Sequence, residues 1–281
     1  MSQSGFELRP LSIGDILDRT FLLYRRYFSL FLGITAIPQV FILAWNLART
    51  LAFSGGNPTL TSALSAGNLA LTFVGLILTL IAYLFAQGGS VLAVSELYLG
   101  KSTSISASLK RVWDDFGPLF GVLMLNGLVV GFGYLLLLVP GIYLTCRLLV
   151  CVPAALIENR GPRESLDRAF DLTRDNAGRA FVILLLSVVL TYAASALFVL
   201  PLTIATLTAA HDPNKLRLYT ALTQISTTVA GILVTPVALI ATSIFYYDLR
   251  VRKEGFDLEF MMNPDAPQAP RSSGTPYRII T

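Results

Sequence analysis

The stretch PLFGVLMLNGLVVGFGYLLLLVPGIYLTCRLLVCVPAALI, residues 118–157, decides the fold, because it carries one formally charged side chain, Arg147, over enough length to cross a bilayer twice. A soluble domain interrupts such runs with charge well before the ~20 residues that a transmembrane helix needs. Val139-Pro140-Gly141 falls near the midpoint. Proline removes a backbone donor and glycine admits a tight turn, so the stretch reads as a helical hairpin with its outer turn at 139–141.

Runs of the same kind lie at 28–48, 69–97, 180–210 and 219–247, and across all six spans the only formally charged side chains are Glu96 and Arg147. The longest runs exceed what a bilayer requires, which implies tilt or projecting ends. Of the 281 residues 54% are hydrophobic and 14% charged, against about 25% charged in a typical soluble domain. The expectation is an all-α polytopic membrane helical bundle, six transmembrane helices arranged as three hairpins.

The net charge of +4 follows the positive-inside rule and calls for no nucleic-acid partner. Arg9, Arg19, Arg25 and Arg26 precede the first span; Lys101, Lys110 and Arg111 follow the second; Arg160, Arg163, Arg168, Arg174 and Arg179 follow the fourth; Arg250, Arg252, Lys253, Arg271 and Arg278 follow the sixth. Only Arg49, Lys215 and Arg217 fall on the other side. Both termini are therefore expected in the cytoplasm, the protein lying in the cell membrane. Cys146 and Cys151, the only cysteines, share the fourth span, which excludes a disulfide framework or a CxxC pair. The first 27 residues include Glu7, Asp15 and Asp18 without a cleavable signal layout, so no processing is expected.

Leu17-Asp18-Arg19-Thr20-Phe21, Leu109-Lys110-Arg111-Val112-Trp113 and Leu166-Asp167-Arg168-Ala169-Phe170 share one pattern: Leu, charged, Arg, any, aromatic. Each copy sits just before an odd-numbered span, which predicts three repeats, approximately 10–99, 102–159 and 161–253, each a short cytoplasmic amphipathic helix followed by a hairpin. Ile13, Ile16, Leu17, Phe21, Tyr24 and Phe28 form the stripe of the first helix, and Ser12 with Asp15 has the form of a capping box. Ile105, Leu109, Val112, Trp113 and Phe116 form the second stripe, with Gly117-Pro118 at the bend into the membrane. Gly161-Pro162 opens the third helix. Such helices either lie in the headgroup layer, aromatic sunk and arginine near phosphate, or pack on the bundle's own end. The interface candidates are Arg19, Phe21, Arg111, Trp113, Arg168 and Phe170. The even spans end on Glu96, Glu158 and Asp248, each an acid placed to pair with a repeat arginine or to face water. One membrane domain, 1–262, leaves a Pro- and Ser-rich tail, 263–281, expected to be disordered.

No catalytic constellation stands out. His211 is the only histidine and adjoins Asp212-Pro213 in a short outer loop, far below the ligand count of a metal site. Asp114 and Asp115 are adjacent, so on a helix they point about 100° apart. Gly127 and Gly131 have the GxxxG spacing of helix packing. Arg147 is the sharp candidate, a charge at membrane depth that needs a partner or water. One reading holds it to the 139–141 turn or lets it snorkel outward; the other joins it with Asn126, Gln39 and Gln87 in a polar cavity for an anionic or amphiphilic solute, as in a small transporter or channel. No cofactor, metal or catalytic residue is expected.

The residues Arg9-Pro10-Leu11-Ser12-Ile13-Gly14-Asp15-Ile16-Leu17-Asp18-Arg19, Pro140-Gly141-Ile142-Tyr143-Leu144 with Arg147, and Leu166-Asp167-Arg168-Ala169-Phe170-Asp171-Leu172-Thr173 resemble the glycerophosphoryl diester phosphodiesterase membrane-domain family, as does the exit Tyr246-Tyr247-Asp248-Leu249-Arg250-Val251-Arg252-Lys253-Glu254-Gly255. That resemblance implies a multi-helix membrane module, sometimes fused in the family to a soluble barrel that performs the hydrolysis; no barrel is present in this sequence. The expected role is a non-enzymatic scaffold or anchor associating with anionic lipid headgroups or a partner protein. Reporter fusions test the topology: a cytoplasmic reporter is expected to be active after Lys101, Arg174 or Gly255, and an export-dependent one only after Pro58 or Asn214.

Overall fold

The computed structural model describes residues 9–52, 66–209 and 212–255, and among them the chain is α-helical with no strand. The loop at 54–58, His211 and the 263–281 tail lie outside the described residues. The helices are α1 (Ile13–Arg26), α2 (Phe28–Ala52), α3 (Ala66–Tyr98), α4 (Ile105–Asp114), α5 (Phe116–Leu136), α6 (Leu138–Arg147), α7 (Cys151–Glu158), α8 (Pro162–Thr173), α9 (Ala177–Thr208) and α10 (Pro213–Glu254). Six stretches, Phe28–Thr50, Gly67–Tyr98, Phe116–Leu136, Leu138–Glu158, Ala177–Thr208 and Asn214–Glu254, are long and apolar enough to cross a membrane. The protein is an all-α, multi-pass membrane helical bundle.

Local chemistry sets the helix ends. Ser12 and Asp15 form the reciprocal capping box of α1, and the backbone N–H and hydroxyl of Ser12 hold the Asp15 carboxyl below its usual pKa. Pro162 occupies the first turn of α8 after an extended Gly161. Asp212 accepts from the N–H groups of Asn214 and Lys215 to start α10, and Gly255, at φ 62°, ends it by donating to the Val251 carbonyl.

Two boundaries differ from expectation. The hairpin turn is Leu137 alone, extended at φ −166°, and Pro140-Gly141 lie in the first turn of α6. Glycine is needed at 141 for close approach, since a side chain there would overlap the Tyr134 ring, and Gly133 faces the Gly141 backbone across the hairpin. Likewise the bend into α5 is at Asp115, with Gly117-Pro118 inside the first helical turn, where the missing proline donor is harmless. Among the described residues Gly127 and Gly131 pack against nothing, because α5 uses Gly121, against Pro162, and Gly133 for its close contacts.

Burial is concentrated at one end. In α3 the continuous buried face begins near Ala82 and runs to Tyr98; in α10 it begins at Ala230 and includes Ile240, Ala241 and every residue from Ser243 to Val251. The opposite halves expose Leu69, Phe73 and Leu76 on α3, Val189, Tyr192, Leu197 and Leu207 on α9, and Leu218 and Ile225 on α10, the surface that lipid would cover. The Tyr24 hydroxyl donates to the Leu233 carbonyl, and Gly88 sits beneath Val112 and Leu119. The α1–α2 and α4–α5 elbows thus stand at the height where exposed apolar surface gives way to packed core.

A Cβ on Gly88 would lie 2.9 Å from both Leu119 and Val112. Gly88→Leu is expected to push α4 off α3 and to destabilise the fold by about 1–3 kcal/mol in detergent unfolding, whereas Gly67→Leu, which meets open space, is expected to do neither.

Candidate functional site

The charged end of the bundle is built around two buried carboxylates. Asp248, 1% exposed, accepts the Leu11 N–H at 2.7 Å, pairs with Arg179 at 3.0 Å and takes Arg252 at 3.0 Å. The same two arginines donate to the Leu11 carbonyl, at 2.7 and 2.6 Å. One residue ahead of α1 is therefore gripped by both its backbone groups, from α9 and α10. Glu158, at the end of α7, accepts from Arg160 at 2.6 Å, from Arg168 at 2.8 Å and from the Tyr246 hydroxyl at 2.8 Å. Arg168 also pairs with Glu254. Burial works against the Arg168 cation, yet the hydrogen bonds and charges of Glu254 and Glu158 outweigh it and hold its pKa above the ordinary value.

The three patterned segments are buried at matching positions. Thr20, Val112 and Ala169, the variable fourth residue, are each 0% exposed, and so nearly are Ile16, Ser108 and Ser165, one turn earlier. The outward residues differ. Arg19 donates to the Tyr98 hydroxyl at 2.7 Å, and Tyr98 stacks on Tyr247 with centroids 5.0 Å apart. Arg168 is taken up by acids, whereas Arg111 has only a 3.5 Å contact with Glu96 and stays half exposed. Phe21 is exposed, Trp113 is 67% exposed, and Phe170 is half-buried. Trp113, Phe85, Phe116 and Phe120 form a cluster of rings at the α4–α5 elbow, neighbouring centroids about 6 Å apart. The α1 stripe is corrected accordingly: its buried face is Ile16, Thr20 and Leu23, and Phe21 and Phe28 point away from the core.

Arg147 neither bonds the hairpin turn nor snorkels to the outer side. Its Nη2 donates to the Phe170 carbonyl at 2.7 Å, its Nη1 reaches the Tyr143 hydroxyl at 3.3 Å, and its guanidinium lies over the Phe170 and Tyr143 rings. Pro153, lacking an N–H, cannot continue a helix ladder back to residue 149, and the chain loosens at 148–150 between α6 and α7. The Arg147 carbonyl there takes the Thr173 hydroxyl at 2.9 Å. The neighbouring Asp171 carbonyl receives Lys253 at 2.8 Å, so two cations close the C-terminal end of α8. Gln39 lies against Gly231 of α10, the buried Gln87 Oε1 has no hydrogen-bond partner among the described residues, and Asn126 is half-buried on α5; none of the three is a hydrogen-bond partner of Arg147.

Among the described residues no group of three or more His, Cys, Asp or Glu is placed to hold a metal ion. Comparison with protein-family profiles, with curated proteins and with solved structures gives no match. What the fold and the charged end define is a multi-pass helical membrane protein.

Removing one partner of a buried ion pair strands the others. Asp248→Asn and Arg168→Gln are each expected to cost about 3–5 kcal/mol in detergent unfolding, while Arg111→Gln is expected to change stability by under about 1 kcal/mol.

Proposed function

We propose that this chain is a non-enzymatic membrane module, of the kind implied by its resemblance to the glycerophosphoryl diester phosphodiesterase membrane-domain family, that associates with anionic lipid headgroups at its basic end. That end faces the cytoplasm, with both termini, in the cell membrane. The observation that carries the reading is the surface of the two elbows. At α4–α5 the exposed Trp113 and its ring cluster adjoin exposed Lys110 and Arg111. At α1–α2 the exposed Phe21, Leu22 and Phe28 adjoin exposed Arg25 and Arg26, neither of which has an ion-pair partner among the described residues. Aromatic rings beside cations at the edge of an apolar belt are the usual chemistry of a membrane–water interface. The sorting of arginines supports this division: Arg19 and Arg168 hold the fold, and the lipid-facing cations are Lys110, Arg111, Arg25 and Arg26.

Near a charged membrane surface each Lys or Arg contributes about 1 kcal/mol. Lys110→Gln with Arg111→Gln, or Arg25→Gln with Arg26→Gln, is therefore expected to lower retention of anionic over zwitterionic phospholipid on the purified protein by about 10- to 30-fold, with folding unchanged. Equal retention in both double variants would refute the lipid role and leave a partner protein as the occupant of this surface.

A further inference from the structure

Length and composition allow the second hairpin to cross the membrane, but the attachments of its second arm stop that arm half-way. Helix α6 has 10 residues between the turn and Arg147, a rise of about 15 Å, half of a ~30 Å hydrocarbon core. The level of Arg147 is fixed by its backbone rather than by a reaching side chain, because its carbonyl accepts the short Thr173 hydroxyl. Thr173 ends α8, a helix that exposes Arg163, Glu164, Asp167 and Asp171 and is followed by exposed Arg174 and Asp175. Arg147 therefore sits at the polar layer, and the turn lies about 15 Å beyond it.

The other arm, α5, is longer at 21 residues, and its first turns are held in the packed core. Leu119 and Val122 of α5 are buried and Gly121 faces Pro162 of α8, whereas Leu128, Phe132 and Leu135 beyond them are exposed. The tip itself has no polar character: Leu135, Leu136, Leu137, Leu138 and Val139 are 60–82% exposed, and no charged, amide or hydroxyl side chain other than tyrosine occurs between Asn126 and Thr145. The turn from α9 to α10, by contrast, carries Asp212, Asn214, Lys215 and Arg217. A one-residue turn also suits lipid, since the Leu137 N–H goes to Gly133, its carbonyl takes the Gly141 N–H, and Pro140 has no donor to leave unpaired.

We propose that α5–α6 is a re-entrant hairpin that enters one leaflet from the charged end and returns without crossing, its tip packed by acyl chains near the bilayer midplane. The chain then crosses four times, through α2, α3, α9 and α10, and the shared side of its termini is unaffected. This rests on the membrane reading of the fold and not on headgroup binding, so the lipid-retention variants leave it untouched.

The test places Leu137→Cys, and in a second protein Asn214→Cys, in full-length chain with Cys146→Ala and Cys151→Ala. A membrane-impermeant maleimide added outside intact cells is expected to label Asn214→Cys and to lose all labelling at Leu137→Cys, while both react in detergent. A bimane on Leu137→Cys in vesicles is expected to be quenched more by phospholipid brominated deep in the acyl chain than by phospholipid brominated near the headgroup. Outside labelling of Leu137→Cys, stronger shallow quenching, or failure to react in detergent would each overturn the proposal.

Discussion

Everything at the packed end depends on keeping the Asp248 carboxylate paired. A carboxylate at 1% exposure has lost its hydration, and the effective penalty of several kcal/mol is offset only when hydrogen bonds and counter-charges surround it. Arg179, Arg252 and the Leu11 N–H meet that demand from three separate elements, so α9, α10 and the segment ahead of α1 share one geometry. Glu158 imposes the same demand on α7, α8 and α10 through Arg160, Arg168 and Tyr246. Neither cluster tolerates a rotated helix, because turning any one of them strands a charge.

The other end obeys different physics. There α3, α9 and the first half of α10 expose apolar side chains widely, and lipid supplies contacts that a soluble protein would have to build internally. Single hydrogen bonds such as Gln224 to Thr50, at 2.9 Å, and Ser226 to the Phe198 carbonyl, at 2.6 Å, stitch neighbouring helices without a packed core. The molecule is rigid where charge is buried and supported by its solvent where it is not.

Much of this was legible in the sequence. The six apolar stretches announce themselves by the absence of charge, and Ser12-Asp15 and Gly161-Pro162 act locally, so their caps form as read. The repeat pattern drew attention to leucine and the aromatic, yet the positions buried alike are 20, 112 and 169, occupied by Thr, Val and Ala. Residue type hid them; only their shared offset from the arginine would have marked them. Arg147 reads in the sequence as a charge that needs a partner or water, and the carbonyl it donates to lies 23 residues away, which no side-chain motif encodes. Turn chemistry puts the break at Val139-Pro140-Gly141, whereas the close approach of Gly133 to Gly141 uses the glycine for space and the break falls at Leu137.

The grip on Leu11 has a consequence in time. Its partner Asp248 lies 237 residues further along the chain, and at ~5–20 residues per second a ribosome needs roughly 10–50 s to make that distance. For that interval the first helix exists without the carboxylate that fixes its start, while α2 and α3 are already entering the bilayer. Its capping box is local and forms at once, whereas the segment ahead of it stays unanchored until α10 emerges and Leu11 meets Asp248.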